Sequence, residues 1–213
     1  MIRQTLRAIR RRIKGEHYHE IGPGTELPSA WYDWAYGETP AYHAHYSDSG
    51  YYFLWSVIVD RMLRAGVRQV LDLGCGPGQV AALLYDKGMR EYRGLDFSQK
   101  AIEIAKSRGV PGFEFQIRDL SQGDFANIPH DCVVTLEFLE HVEFDIPLLS
   151  RIKPGTRVFA TVPNFPYAGH VRWFDTVEQV AARYASLFSH FTVDAFLGNA
   201  KGKTFYLMEG VKL

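Results

Sequence analysis

Two carboxyls and an imidazole fall close together in Glu137-Phe138-Leu139-Glu140-His141, and a second imidazole follows at His170. Groups of this kind hold or move protons. Histidine titrates near working pH, so His141 reads as a general base with Glu140 beside it in catalysis. If a helix starts near Glu137, the i, i+3 and i+4 spacing puts Glu137, Glu140 and His141 on one face. A purely structural role for all three is the competing reading. Nearer the N-terminus, residues 70–78 read Val-Leu-Asp-Leu-Gly-Cys-Gly-Pro-Gly. Glycines at 74, 76 and 78 let the backbone turn tightly and approach a ligand where a Cβ would clash.

The acid in that turn separates two kinds of ligand. A dinucleotide places pyrophosphate on the helix N-terminus, and Asp72, two residues before the first glycine, would repel it. A ligand carrying an ammonium and a sulfonium would tolerate the acid. Asp-x-Gly-x-Gly-x-Gly resembles the first motif of the class I S-adenosylmethionine-dependent methyltransferases. The resemblance implies S-adenosyl-L-methionine as cofactor, with Asp72, Gly74, Cys75, Gly76 and Gly78 around it. Asp96, in Gly94-Leu95-Asp96-Phe97-Ser98, falls about 20 residues past the glycines, where Rossmann-type sites hold ribose hydroxyls on a carboxylate. Phe97 joins the cofactor set, and a plain strand-end turn acid is the alternative for Asp96. By resemblance Asp119 takes the adenine amino group while the N–H of Leu120 meets a ring nitrogen. Asp124 competes for that role in the same loop, and an ordinary loop acid is the bland alternative.

Glu-x-x-Glu-His after the fourth strand is similar to the ubiquinone-biosynthesis O-methyltransferases and to the enzymes that methylate the terminal 2′-hydroxyl of small RNAs. In the RNA enzymes the two Glu, the His and a later His bind a divalent metal. The resemblance therefore implies Glu137, Glu140, His141 and His170 as ligands of Mg²⁺ or Mn²⁺, with Zn²⁺ also compatible, and Glu137 beside the cofactor as well. Glu-His pairs also stand here in methyltransferases without metal, where His141 would be a free base. There is no Asn-Pro-Pro-Tyr motif, which argues against methylation of a nucleobase or glutamine amide nitrogen. The function implied is methyl transfer to a hydroxyl of a small polar acceptor such as a sugar or glycan unit. Two alternatives stay open: N-methylation of a small amine, and a non-catalytic cofactor-binding partner subunit.

Positioning these groups takes an alternation of strands and helices. Apolar, β-branched runs predict strands at Val67–Leu73, Glu91–Leu95, Phe113–Ile117, Asp131–Leu136, Arg157–Val162, Phe191–Phe196 and Thr204–Glu209. Helices are expected at Gln79–Tyr85, at Gln99–Arg108 with Ser98 as cap, and at Thr176–Leu187 with Asp175 as cap. This pattern gives an α/β fold, a Rossmann-like seven-stranded, mostly parallel sheet with helices on both faces. The resemblance adds an antiparallel last strand. Residues 66–213 form the cofactor-binding methyltransferase domain in this reading.

Residues 15–65 read as an aromatic cap and a lead-in helix, Phe53–Leu63. Proline and glycine at 23, 24, 28, 37 and 40 argue against long regular elements before residue 47. Tyrosines and tryptophans offer flat contact area suited to sugars or other polar rings, which makes Tyr42, His43, His45 and Tyr46, with His170, candidate substrate contacts. The alternative is that the aromatics only pack a lid onto the sheet. Residues 1–14 carry six basic side chains and no acid, with Ile2, Leu6, Ile9 and Ile13 at helical spacing. Such a segment contacts an anionic membrane surface weakly, docks on its own domain, or frays.

Lys plus Arg equal Asp plus Glu at 24 each in 213 residues, which gives no argument for a nucleic-acid partner. Cys75 in the turn and Cys132 in an apolar strand suggest no disulfide scaffold. No signal peptide is visible and no apolar run has spanning length, so a cytoplasmic location is expected, peripheral at the membrane surface if residues 1–14 anchor it. The oligomeric state stays open.

Overall fold

The computed structural model describes residues 22–122, 124–198 and 202–213; the basic segment 1–14 lies outside the described residues. Its strands are β1 (Gln69–Leu73), β2 (Glu91–Asp96), β3 (Glu114–Ile117), β4 (Cys132–Thr135), β5 (Arg157–Pro163), β6 (Phe188–Leu197) and β7 (Thr204–Lys212). They form one seven-stranded sheet in the order β3-β2-β1-β4-β5-β7-β6. β1 to β5 pair in parallel, and β7 runs antiparallel to both β5 and β6. The order reverses between β1 and β4, and ligands of open α/β sheets bind at the carboxyl ends of strands flanking such a point. Asp72 within β1, Asp96 ending β2 and Glu137 just past β4 all arrive there.

The helices are α1 (Ser29–Glu38), α2 (Tyr52–Arg64), α3 (Gln79–Asp86), α4 (Gln99–Ser107), α5 (Asp145–Ser150) and α6 (Val177–Tyr184). On α2, Leu54, Trp55, Ile58, Val59 and Met62 recur at helical spacing and are buried on one sheet face with Val70, Val134, Phe159 and Leu207. The other face buries Leu71, Leu73 and Val133 under Leu148, Val180 and Tyr184. Each fully buried Leu or Ile among them contributes about 1.5–3 kcal/mol. That packing holds the strand ends in place.

Three local expectations change. The cap contains a ten-residue helix, α1, where irregular chain was expected. Pro28 and Pro40 flank it, and Gly37 sits in its last turn, so none of the three interrupts it. Helix α6 is capped by Thr176, whose hydroxyl accepts from the Gln179 N–H at 3.3 Å, instead of by Asp175. Glu137, Glu140 and His141 do not share a helix face. Glu137 stands in a left-handed conformation (φ 52°) before a short 3-10 turn, Leu139–His141. Its N–H is taken by the Thr161 hydroxyl at 2.8 Å, a bond across to β5 that ends β4 in a turn.

Candidate functional site

The turn after β1 requires glycine twice over. Gly74 has φ +81°, and a Cβ there would lie 2.2 Å from the Phe138 ring. Gly78 has φ +73°, and its Cβ would lie 2.9 Å from that of Ala105 on α4. The turn opens onto a cavity of about 460 Å³ whose lining includes Asp72, Gly74, Cys75, Gly76, Asp96 and Phe97. The Asp96 carboxylate accepts the Gly76 N–H at 2.9 Å and the Ser98 N–H at 2.8 Å. Burial pushes it up to about 6, against the pull of those backbone donors. Asp72 accepts the Tyr92 hydroxyl at 2.7 Å, and its burial lifts it to about 7 in spite of that bond. Two buried acids therefore stand in the crevice on adjacent strands, β1 and β2.

Helix α1 roofs this half. Asp33 accepts from the Ser98 hydroxyl at 2.6 Å and from the Lys100 N–H at 3.0 Å, at the N-terminus of α4. Tyr36 reaches over Gly76, where its hydroxyl would lie 3.4 Å from a Cβ. Tyr32 packs edge-on to His141 with ring centroids 5.8 Å apart and lies 5.3 Å from the Phe97 ring. Tyr32, Tyr36, Tyr42, Tyr51 and Trp55 all line the cavity.

Glu140, His141 and His170 converge at its far end, with one potential ligand atom from each all within 4.8 Å of one another. Glu140 is fully buried, and neither carboxylate oxygen has a hydrogen-bond partner. His141 Nδ1 lies 3.1 Å from the Gly169 carbonyl and His170 Nδ1 lies 3.0 Å from that of Phe165. A carbonyl only accepts, so each Nδ1 carries the hydrogen and each Nε2 keeps a lone pair. Burial and the neighbouring His170 lower His141 to about 3, and burial together with Glu137 raises Glu140 well above the usual range. Glu137 lines the cavity separately; burial lifts its carboxyl to about 7, opposed by bonds to Thr161 and Tyr51. The turn is tied to the loop after β5. Arg172 donates to the Leu139 and Val142 carbonyls and pairs with Asp145 at 3.3 Å, and the Val171 N–H donates to the Glu140 carbonyl at 2.7 Å.

The structure thus brings together Asp72, Gly74, Cys75, Gly76, Asp96, Phe97, Tyr42, Glu137, His141 and His170 along one cavity, with Gly78 and Glu140 packed behind it. Other candidates stand apart from the lining. Asp119 is exposed and accepts the Ser121 N–H at 2.8 Å, while the Leu120 side chain is buried in the core. His43 is exposed beside the Tyr36 carbonyl, His45 bonds Ser47, and the Tyr46 hydroxyl donates to Asp86 at 2.7 Å. Asp33 and Lys203 were not singled out from the sequence. A lone acid in an aromatic stretch and a lysine in the Lys201-Gly202-Lys203 sequence between strands carry no spacing signal.

Residues 70–153 match a family model described as a methyltransferase domain. A ubiquinone biosynthesis O-methyltransferase of Dechloromonas aromatica is 30% identical over 114 residues, 50% of this chain and 49% of that protein. The chain spans about half the length of the curated relatives it matches first. Among solved structures, the N-terminal domain of EvdMO1 in the presence of SAH and D-fucose aligns with TM-score 0.57 at 18% identity, over 73% of this chain and 82% of that one. The methyltransferase domain of bacterial CtHen1-C aligns with TM-score 0.58 at 18% identity, over 75% and 97%. At these identities the two structures share the fold.

Proposed function

We propose that the class I S-adenosylmethionine-dependent methyltransferase domain of this chain moves a methyl group from the sulfonium to a hydroxyl oxygen of a small polar acceptor. Asp96 holds the ribose hydroxyls of the donor, and Asp72 faces its ammonium. A C–O bond forms as the S–C bond breaks, the sulfur keeps that bond's electron pair as a neutral thioether, and the hydroxyl proton passes to a base in the cavity and on to water. Because the sulfonium methyl is already electrophilic, the protein's task is to aim the hydroxyl and to exclude water. The ubiquinone O-methyltransferase relatives support oxygen as the acceptor atom. The tyrosines and tryptophans of the cavity suit the face of a ring, and a sugar or glycan unit is the ring we favour.

One observation carries the catalytic half of this reading: the buried Glu140 carboxylate, without hydrogen bonds, beside two Nε2 lone pairs. A carboxylate and two imidazoles fit a divalent cation, and both imidazoles already have the backbone-bonded Nδ1–H that metal-ligating histidines show. We infer that Glu140, His141 and His170 hold a divalent cation, Mn²⁺ before Mg²⁺, because two imidazoles in the set suit a transition metal. Glu137 stands outside this trio. The ion, when bound, lowers the pKa of an acceptor hydroxyl. Without an ion, His141 Nε2 is the atom in reach of the proton, but burial and His170 hold it down to about 3, so it is a weaker base than the sequence suggested.

A single assay separates the two cases. Chelation should abolish methyl transfer and leave cofactor affinity unchanged, with Mn²⁺ or Mg²⁺ restoring activity and His170→Ala raising the metal concentration required. Full activity after exhaustive chelation would return the role to His141 alone. We also propose a cytoplasmic setting in which residues 1–14 touch anionic membrane surfaces.

A further inference from the structure

Lys203 enters the same cavity on the side walled by Phe165 and Tyr167. It lines the cavity from the turn between β6 and β7. In the strand order, β7 lies three places from β1. At about 4.8 Å per strand, β7 runs about 14 Å across the sheet from β1, the strand that carries Asp72. The lysine's place is built, not incidental. Asn164, just past β5, accepts the Thr204 N–H on its side chain at 2.7 Å and donates to the Gly202 carbonyl at 3.1 Å. Its own N–H donates to the Thr204 carbonyl at 2.9 Å, and the Lys203 carbonyl accepts the Gly198 N–H at 2.8 Å. Both neighbours of Lys203 are thus fixed to the loop that carries His170.

The side chain is held as firmly as its backbone. The ammonium lies 4.3 Å from the centroid of the Phe165 ring and 5.9 Å from that of Tyr167. Aromatic faces attract a cation and fix its direction without neutralising it. Among the described residues no carboxylate lies within ion-pair distance of Lys203. Its charge is nevertheless felt by Glu137 and His170, so its field reaches the reacting end of the cavity. A half-buried lysine held on aromatic faces, aimed into a cavity and lacking a carboxylate partner, is arranged for an anion brought from outside.

We propose that Lys203 is the recognition point for an anionic group, a carboxylate or a phosphate, carried by the methyl acceptor. This rests on the hydroxyl-transfer reading only for the word acceptor, because the anion subsite is defined by the cavity itself. The acceptor would then be a ring lying between the aromatic walls. Its hydroxyl would face Glu140, His141 and His170, and its anionic substituent would reach Lys203.

The test uses the full chain saturated with S-adenosylhomocysteine, titrated by NMR with phenol, 4-hydroxybenzoate and phenyl phosphate. The three probes share a ring and differ in charge. The wild-type complex should bind at least one anion about tenfold or more tighter than phenol, as a charge-assisted hydrogen bond would give. Which anion gains more tells carboxylate from phosphate. Lys203→Met should remove the advantage, Lys203→Arg should keep most of it, and S-adenosylhomocysteine affinity should stay within about twofold in both. Anions binding no tighter than phenol, or an advantage that survives in Lys203→Met, would overturn the proposal. So would a parallel loss of S-adenosylhomocysteine affinity, which would assign the lysine to the carboxylate of the cofactor. Failure of the chelation assay with the anion preference intact would count against the metal-assisted transfer and leave the subsite standing.

Discussion

An ammonium arriving beside Asp72 meets a carboxyl that burial has lifted to about 7. A cation favours the ionised acid, so below that value binding must release a proton and is weakened by it. S-adenosylmethionine affinity should therefore rise as pH is taken from about 6 to about 8, with proton release at the acid end. Calorimetry in buffers of different ionisation enthalpy reads both, and a flat profile would separate Asp72 from any cationic group of the ligand. Asp96 is constrained differently, because its two oxygens each already accept a backbone N–H. In Asp96→Asn the amide nitrogen would have to face one of those donors. Cofactor affinity should fall by about 1.5–3 kcal/mol, measured by direct titration. Both acids were legible in the sequence because glycine spacing and a strand end fix them locally. Glu137 was misplaced because its left-handed backbone depends on Thr161, a partner in β5 that no local pattern announces.

The strands could be read because parallel strands, buried on both faces, appear as continuous apolar runs such as Val70-Leu71 and Val133-Val134. Helix α1 could not. Of its ten residues only Ala35 is fully buried, so no apolar stripe marks it, and it is held from outside through Asp33 at the start of α4. Asp33→Ala should thus loosen the roof without unfolding the sheet. We expect about 1–2 kcal/mol less protection of residues 29–38 in hydrogen exchange, faster cofactor dissociation, and little change in the global melting temperature. Equal protection in wild type and variant would show that the aromatic contacts of α1 hold it unaided.

At the scale of the whole chain, formal neutrality conceals a basic end: residues 1–14 carry positive charge only. Among the described residues no helix is long and apolar enough to cross a membrane. If the basic end touches anionic lipid, the intact chain should sediment with anionic vesicles at low salt and lose them at high salt, as screened charges do. The chain lacking residues 1–14 should stay in solution while binding the cofactor as before, and equal sedimentation of the two would remove the contact. Charge also shapes the reaction cycle through the acids that face the cavity. Methyl transfer turns a sulfonium into a neutral thioether, while Asp72, Asp96 and Glu137 remain where they were. In the proposed reaction the wall that draws in the fresh donor should consequently have less hold on the spent one. If the proposed transfer holds, S-adenosylhomocysteine should bind more weakly than S-adenosylmethionine at pH 8, and titration at pH 6, where that wall is neutralised, should show the gap narrowed.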